Sequence, residues 1–371
     1  MNFKLWLMTA IYISGLSLGL SQINFSQASE PAIRSEIGRY TLLHDRNILL
    51  RDLAREKHSS FLDFNLTFSA GLKKLISDVT DSSRNDSSLS SQANESQKQV
   101  QIYKLMTKNL NTERFLDAEL GLGIPLPGFT LNRTRILLNP FFTFGAGSSF
   151  SFSNREDALQ PKLQLYLRTE QKLGLRALNL FSNRQKLTFN IYKLQRSDSL
   201  SMMSYSDVAT KGELFNISDL KDKEVTTNAD LIWEEEGQRD AYKIEVSEFQ
   251  IARDSKKSKT HVAYGNSPLL HMRYQRKNVE ESTHLSPFVG IHYRRRYDLQ
   301  DGLYAGFQMI PTERLPLHFA FILDNGFFAL MPELKTKWFE LVYSWRSPHQ
   351  NPQDDIWVPA MHSLELNFPF P

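Results

Sequence analysis

The side chains that could do chemistry in this chain of 371 residues include nine histidines, but there is no cysteine. Without cysteine there is no thiolate nucleophile, no disulfide and no sulfur-ligated metal. Acyl transfer would need a serine in contact with a histidine and an orienting group. His58-Ser59-Ser60 sets the first two side by side, but no G-x-S-x-G surrounds any serine. His318 and His362 are expected on the polar face of their strands, with His292 a further candidate. A solvated or hydrogen-bonded imidazole is the simpler account of each. Neither H-E-x-x-H nor another metal spacing occurs, and no glycine-rich phosphate loop is present. The chain is therefore read as non-enzymatic, with no catalytic, cofactor-binding or metal-ligating residue assigned.

Charge is the second candidate chemistry. Glu234-Glu235-Glu236 ends at a hairpin tip, where a solvated loop competes with a divalent-cation site or a vestibule. Arg294-Arg295-Arg296 closes another strand. Period-two alternation sends Arg294 and Arg296 one way and Arg295 the other. Such a run can anchor at a lipid interface or line an anion-attracting constriction. Arg133 and Arg135, two apart, share a face, and Glu340 lies between Phe339 and Leu341. Arg133, Arg135, Arg294, Arg296 and Glu340 are the candidate charges of an enclosed lumen or its rim.

The elements that must position them are strands. From residue 115 to the end, alternating segments follow one another, separated by turn residues. Leu116, Ala118, Leu120, Leu122 and Ile124 alternate; so do Leu163, Leu165 and Leu167, then Leu187, Phe189 and Ile191. Later, Leu317, Phe319, Phe321 and Leu323 precede Asp324-Asn325-Gly326, a tight-hairpin signal. Strands of about 9 to 11 residues over this span predict an antiparallel transmembrane β-barrel of about 12 strands. Mean hydropathy is −0.39 and charged residues are 23% of the chain. A barrel tolerates both, because only every second strand residue meets lipid. Tyr192, Trp233, Tyr297, Tyr304, Tyr343, Trp345 and Trp357 fall toward segment ends, as interfacial girdles require. A soluble β-sandwich also alternates and stays open on alternation alone.

The first 28 residues carry one charge, Lys4, then an apolar stretch Leu5 to Leu20 and Ser26-Gln27-Ala28. This is the pattern of a secretory signal cleaved near Ala28. Its removal takes the net charge from +3 to +2 (3 − 1), which argues against nucleic acid as a partner. Residues 29–114 form an amino-terminal helical and irregular segment with one strand. Leu43, Leu50, Leu53 and Ala54 fall near one helical face. Phe61-Leu62-Asp63-Phe64-Asn65-Leu66-Thr67-Phe68 reads as a strand, and residues 77–99 as a mobile polar loop. Val100, Tyr103, Met106 and Leu110 mark a short amphipathic helix. The first helix could plug the lumen or stand in the periplasm; the plug is the preferred expectation. Residues 115–371 are assigned to the barrel.

The chain ends on Leu364, Leu366, Phe368 and Phe370, alternating with polar residues and Pro369. This closing segment resembles the C-terminal β-signal of bacterial outer-membrane β-barrel proteins. The resemblance implies an outer-membrane location, recognition by the barrel assembly machinery, and lipid with lipopolysaccharide as surroundings. It covers about ten residues plus the export signal. Pro369 departs from the pattern because proline cannot donate to a ladder. The functions expected are a pore, transporter or secretion-associated channel. The alternatives are a lipid hydrolase, or a structural or adhesion barrel with a closed lumen.

Overall fold

The computed structural model describes residues 31–54, 60–82, 91–131, 134–154, 161–180, 185–204, 206–208, 220, 223–254, 267–277, 284–311, 316–349 and 356–369. The signal segment, His58, Ser59, Arg133 and Phe370 lie outside them. Helix α1 (Pro31–Ala54) comes first, then β1 (Ser60–Ser69), α2 (Leu72–Ser82) and α3 (Ser91–Lys108). There follow β2 (Glu113–Gly123), the short β3 (Phe129–Leu131), β4 (Thr134–Ser153), β5 (Lys162–Leu178) and β6 (Gln185–Ser204). Next are β7 (Glu224–Glu236), β8 (Asp240–Arg253), β9 (Leu269–Arg276) and β10 (His284–Tyr293). The last five are β11 (Leu303–Ile310), β12 (Leu317–Asp324), β13 (Phe327–Lys335), β14 (Glu340–Pro348) and β15 (Met361–Pro369).

Every stave pairs antiparallel with its sequence neighbour, β2 skips to β4, and β1 pairs with both β2 and β15. The sheet is thereby closed. Because β3 pairs only with β4, the barrel has 14 staves and not about 12. Two physical facts account for the difference. The strand at 60–69, upstream of the 115–371 span, is a stave. The strands from β9 onward are only 8 to 10 residues long, joined in places by very short turns.

The seam is built by the closing segment. Leu364, Leu366 and Phe368 sit opposite Leu66, Phe64 and Leu62, all outward, while Ser363, Glu365 and Asn367 are buried inside. The register shifts between Ser60 and Leu62, where Pro369 meets β1. An apolar exterior around a polar interior is the reverse of a soluble sandwich. The paired β1 and β2 carry the two similar Phe-Leu-Asp starts, and Asp63 and Asp117 both point inward.

The two ends of the barrel differ. Segments 70–112, 154–161, 205–223, 254–268, 294–302 and 349–360 join staves at one end, together with the two-residue turn 325–326 between β12 and β13. At the other end, where β1 starts and β15 stops, the joins are mostly shorter: 124–133, 179–184, 237–239, 277–283, 311–316 and 336–339. Long β4, β5 and β6 project at the long-segment end, exposing outward apolar residues there. Helices α2 and α3 cover them: Leu72, Leu75, Ile102, Leu105 and Met106 pack on Phe150, Phe152, Leu163 and Leu165. This corrects the loop expected over 77–99, most of which is helical. The buried face of α3 is Ile102, Leu105 and Met106, whereas Val100 is exposed.

Parity corrects two further expectations. His362 shares the outward side of Leu364, where its ring stacks on Phe68 and its Nδ1 meets the Tyr343 hydroxyl at 2.6 Å. Tyr192, Tyr297 and Tyr304 are buried inside, not in a girdle, because each has an interior hydrogen-bond partner. Tyr343 and Trp357 are exposed on the outer side, as are Tyr242 and Trp338.

Candidate functional site

Helix α1 lies inside the barrel. At 1.5 Å per residue its 24 residues span roughly 36 Å, more than the ~25 Å apolar band of such barrels. Residues 37–47 are buried without interruption, including Arg39, Thr41, His44, Asp45, Arg46 and Asn47. A helix polar on several faces is unstable alone or against an apolar core. Here the wall supplies an opposite charge or a hydrogen bond to most of its polar residues.

Near the start of α1, Arg39 Nε donates to Glu113 Oε2 at 2.6 Å. One turn on, His44 Nδ1 and Asp117 Oδ2 are 2.8 Å apart. Asp45 receives a two-pronged bond from Arg294, Nε to Oδ2 at 3.0 Å and Nη2 to Oδ1 at 3.1 Å. The Tyr297 hydroxyl adds a third bond to Asp45 at 3.0 Å. Arg46 Nη2 reaches Asp324 Oδ1 at 2.9 Å, and its guanidinium lies over the Phe327 ring. Arg346 donates to Asn47. Arg51 Nη1 pairs with Glu119 at 2.8 Å, and Asp52 pairs with Lys243. At the helix end Gln308 Nε2 donates to the Leu53 carbonyl at 2.9 Å.

Apolar contacts complete the seat. Ile37, Tyr40 and Leu43 pack with Phe115, Tyr166, Phe327, Val358 and Met361. Leu49, Leu50 and Leu53 pack with Phe288, Tyr304, Ile322, Met331 and Val342. Gly147 on β4 makes room for Tyr40: a Cβ there would overlap the Tyr40 hydroxyl and lie 3.1 Å from Asp117 Oδ1. Gly147→Val is expected to weaken helix docking by about 1–3 kcal/mol, the usual cost of overpacking. Faster proteolysis within α1, with the gel shift of the barrel intact, is the measurement.

The rest of the lumen is braced by a second charge cluster. Glu248 accepts from Lys172 at 2.9 Å, Arg196 at 3.1 Å and Arg294 at 3.0 Å. Glu170 accepts from Arg168, Lys172 and Arg196. Glu248 sits at a bulge in the β7–β8 ladder with φ of 57°, a left-handed conformation uncommon for glutamate. Its N–H donates to Asp230 at 2.8 Å. The bulge turns this side chain into the lumen, and Arg294 links it to Asp45 on α1.

The wall also brings Glu245 and His271 toward Asp52, a grouping with metal-like spacing. Lys243 bonds both Asp52 and Glu245 there, so an ammonium already sits where a cation would lie between the two carboxylates. Not every donor is served. Nε and Nη1 of both Arg46 and Arg346 are buried without an acceptor among the described residues. Buried donors left unpaired cost free energy, so the seat is not fully optimised.

Of the candidate charges, Arg294, the first residue after β10, is fully buried and bonded to Asp45 of α1. Arg296 is half-buried and Arg295 exposed in the turn after β10. Arg135 is exposed where β3 folds back on β4. Glu340 is buried inside and accepts from Asn367 at 3.0 Å. Glu234, Glu235 and Glu236 close β7 at the short-turn end, where Lys277 pairs with Glu236 at 3.0 Å. His318 faces inward near Glu333 and His362 faces outward, so no single centre holds both. Asp45, Glu248 and Gly147 were missed by sequence reasoning. The signal available for Asp45 was its place among charged and polar residues on several faces of the helix.

No protein-family model and no curated protein matches the sequence. Solved structures do match. CdiB from Acinetobacter baumannii is 10% identical with a TM-score of 0.36, covering 84% of this chain; the chain spans 60% of that CdiB. The transport unit of the autotransporter AIDA-I from Escherichia coli is 6% identical with a TM-score of 0.36, over 91% of this chain and 99% of that one. Outer membrane phospholipase A from Escherichia coli is 10% identical with a TM-score of 0.29, over 83% of this chain and 90% of that one. By its own closed topology the chain is an antiparallel 14-stranded β-barrel with an apolar outer face and a polar interior.

Proposed function

We propose that this protein is an outer-membrane channel for transport or secretion whose lumen is closed by its own amino-terminal helix. The observation that carries this reading is the unbroken burial of residues 37–47 of α1 among wall charges. Transport then requires α1 to shift or leave. The incompletely paired arginines, Arg46 and Arg346, favour a seat that can be vacated. In this reading residues 1–28 are removed on export, the closing strand is read by the assembly machinery, and lipid with lipopolysaccharide surrounds the outer face.

The absence of cysteine makes the test clean. Asn47→Cys with Arg346→Cys places one thiol on α1 and one on β14, at positions whose native side chains meet tip to tip, and a bifunctional thiol reagent with a reducible arm spans the gap that the shorter cysteines leave. In planar bilayers the uncrosslinked protein is expected to show voltage-driven openings, and the crosslinked protein to stay silent until reductant is added. Equal conductance in both states removes the requirement for helix movement. Silence of the uncrosslinked and wild-type proteins at all voltages instead supports a structural barrel with a closed lumen.

A further inference from the structure

We infer that the barrel carries its own amino-terminal end across the membrane and displays it on the face that bears the long segments. The direction of α1 fixes this. Its early residues contact the starts of staves that descend from the long-segment end. Arg39 bonds Glu113, the first residue of β2, and Ile37 and Tyr40 pack with Val358 and Met361, where β15 begins. Its last residues contact the opposite end. Asp52 meets Lys243, near the start of β8, and the Leu53 carbonyl meets Gln308, near the end of β11. Residues 55–59 then join α1 to β1, which starts at that same short-turn end.

The helix therefore runs down the lumen from the long-segment mouth, and Pro31 stands at that mouth. Bacterial barrels keep short turns in the periplasm and long loops outside. Chain upstream of Pro31 that survives processing consequently emerges at the cell surface. The lumen suits this cargo chemically. Its wall offers carboxylates (Glu113, Asp117, Glu119, Asp324) and cations (Lys243, Arg294, Arg346) in alternation around the helix. That mixed lining matches a helix that carries charges of both signs beside its apolar contacts. The segment carried is the protein's own, and the barrel needs no second chain to fill it.

This inference rests on the outer-membrane setting proposed above but not on helix movement, so the two can fail separately. The test uses single cysteines in the full-length, cysteine-free chain, labelled in intact cells with a membrane-impermeant maleimide. Glu30→Cys reports the mouth. Ser206→Cys, in the long segment 205–223, and Gln238→Cys, in the turn 237–239, report the two faces; both native residues are exposed. The heat-dependent gel shift confirms that each variant has folded. Glu30→Cys is expected to label in intact cells to the extent of Ser206→Cys, with Gln238→Cys labelling only after the outer membrane is permeabilised. Labelling of Glu30→Cys only together with Gln238→Cys after permeabilisation overturns the inference. So does labelling of Gln238→Cys in intact cells with Ser206→Cys protected, which inverts the barrel.

Discussion

Removal of residues 31–54 is expected to convert the barrel from a closed to an open pore. The helix with its side chains occupies a cylinder roughly 10 Å across, and its departure leaves an opening of that order. A 14-stranded wall is close in size to the roughly 16- to 18-stranded barrels that leave an aqueous channel, so single-channel current is expected at least about tenfold above that of the intact chain. The staves do not depend on α1 for backbone pairing, because β1 is held by β2 and β15. The variant should therefore still shift on heating in a denaturing gel. A folded variant that conducts no better than the intact chain eliminates α1 as the seal. The deletion also strips partners from Glu113, Asp117 and Asp324 on one side and from Arg294 and Lys243 on the other. The heat-shift midpoint should fall accordingly.

The second large effect is expected at Asp45. Its carboxylate is fully buried and takes three hydrogen bonds, two from Arg294 and one from Tyr297. Asp45→Ala takes the two-pronged carboxylate pair away from the Arg294 guanidinium, itself fully buried, which keeps its bonds to Glu248 and the Ser267 carbonyl. Breaking a buried pair from one side typically costs about 3–5 kcal/mol, because the remaining charge stays desolvated. That cost falls on docking of α1 more than on the barrel, so the variant should open at lower voltage. Replacing both partners by apolar residues, Asp45→Leu with Arg294→Met, removes the stranded charge. The double variant is expected to recover much of the loss, giving a coupling of at least about 1 kcal/mol in a mutant cycle. Additive losses would show that Arg294 serves the Glu248 cluster alone. The conservative Asp45→Asn keeps the bond from Tyr297 and should fall between wild type and Asp45→Ala.

How far the sequence reaches is visible residue by residue. The period of two placed Leu364, Leu366 and Phe368 outside and Glu365 and Asn367 inside, because side-chain direction along a strand is a local property of the backbone. It also placed His318 inside, and applied consistently it puts His362 outside with Leu364. The closing strand was legible because an alternating apolar run demands neighbours for its backbone ladder, here β14 and β1. Three things were not legible. The stave number depends on which distant segments pair and where the sheet closes, and a ten-residue strand at 60–69 carries no mark of joining residue 361. The polar stretch 77–99 looked unable to bury a core; it is helical where its flanking Leu72, Leu75, Ile102 and Met106 meet apolar staves projecting at the barrel end.

The largest gap concerned α1 and the arginines. The sequence by itself determined a β-barrel with a wet interior, an apolar exterior and an amino-terminal helix carrying charges on several faces. Only the tertiary structure decided that these charges are buried and paired, with Arg294 and Asp45, 249 residues apart, meeting inside the wall. The physical reason is that a charge run reads the same whether water or an opposite charge neutralises it. Choosing between them requires knowing which side chains from a dozen separate strands converge on one helix, and that is set by closure of the sheet and not by any local pattern.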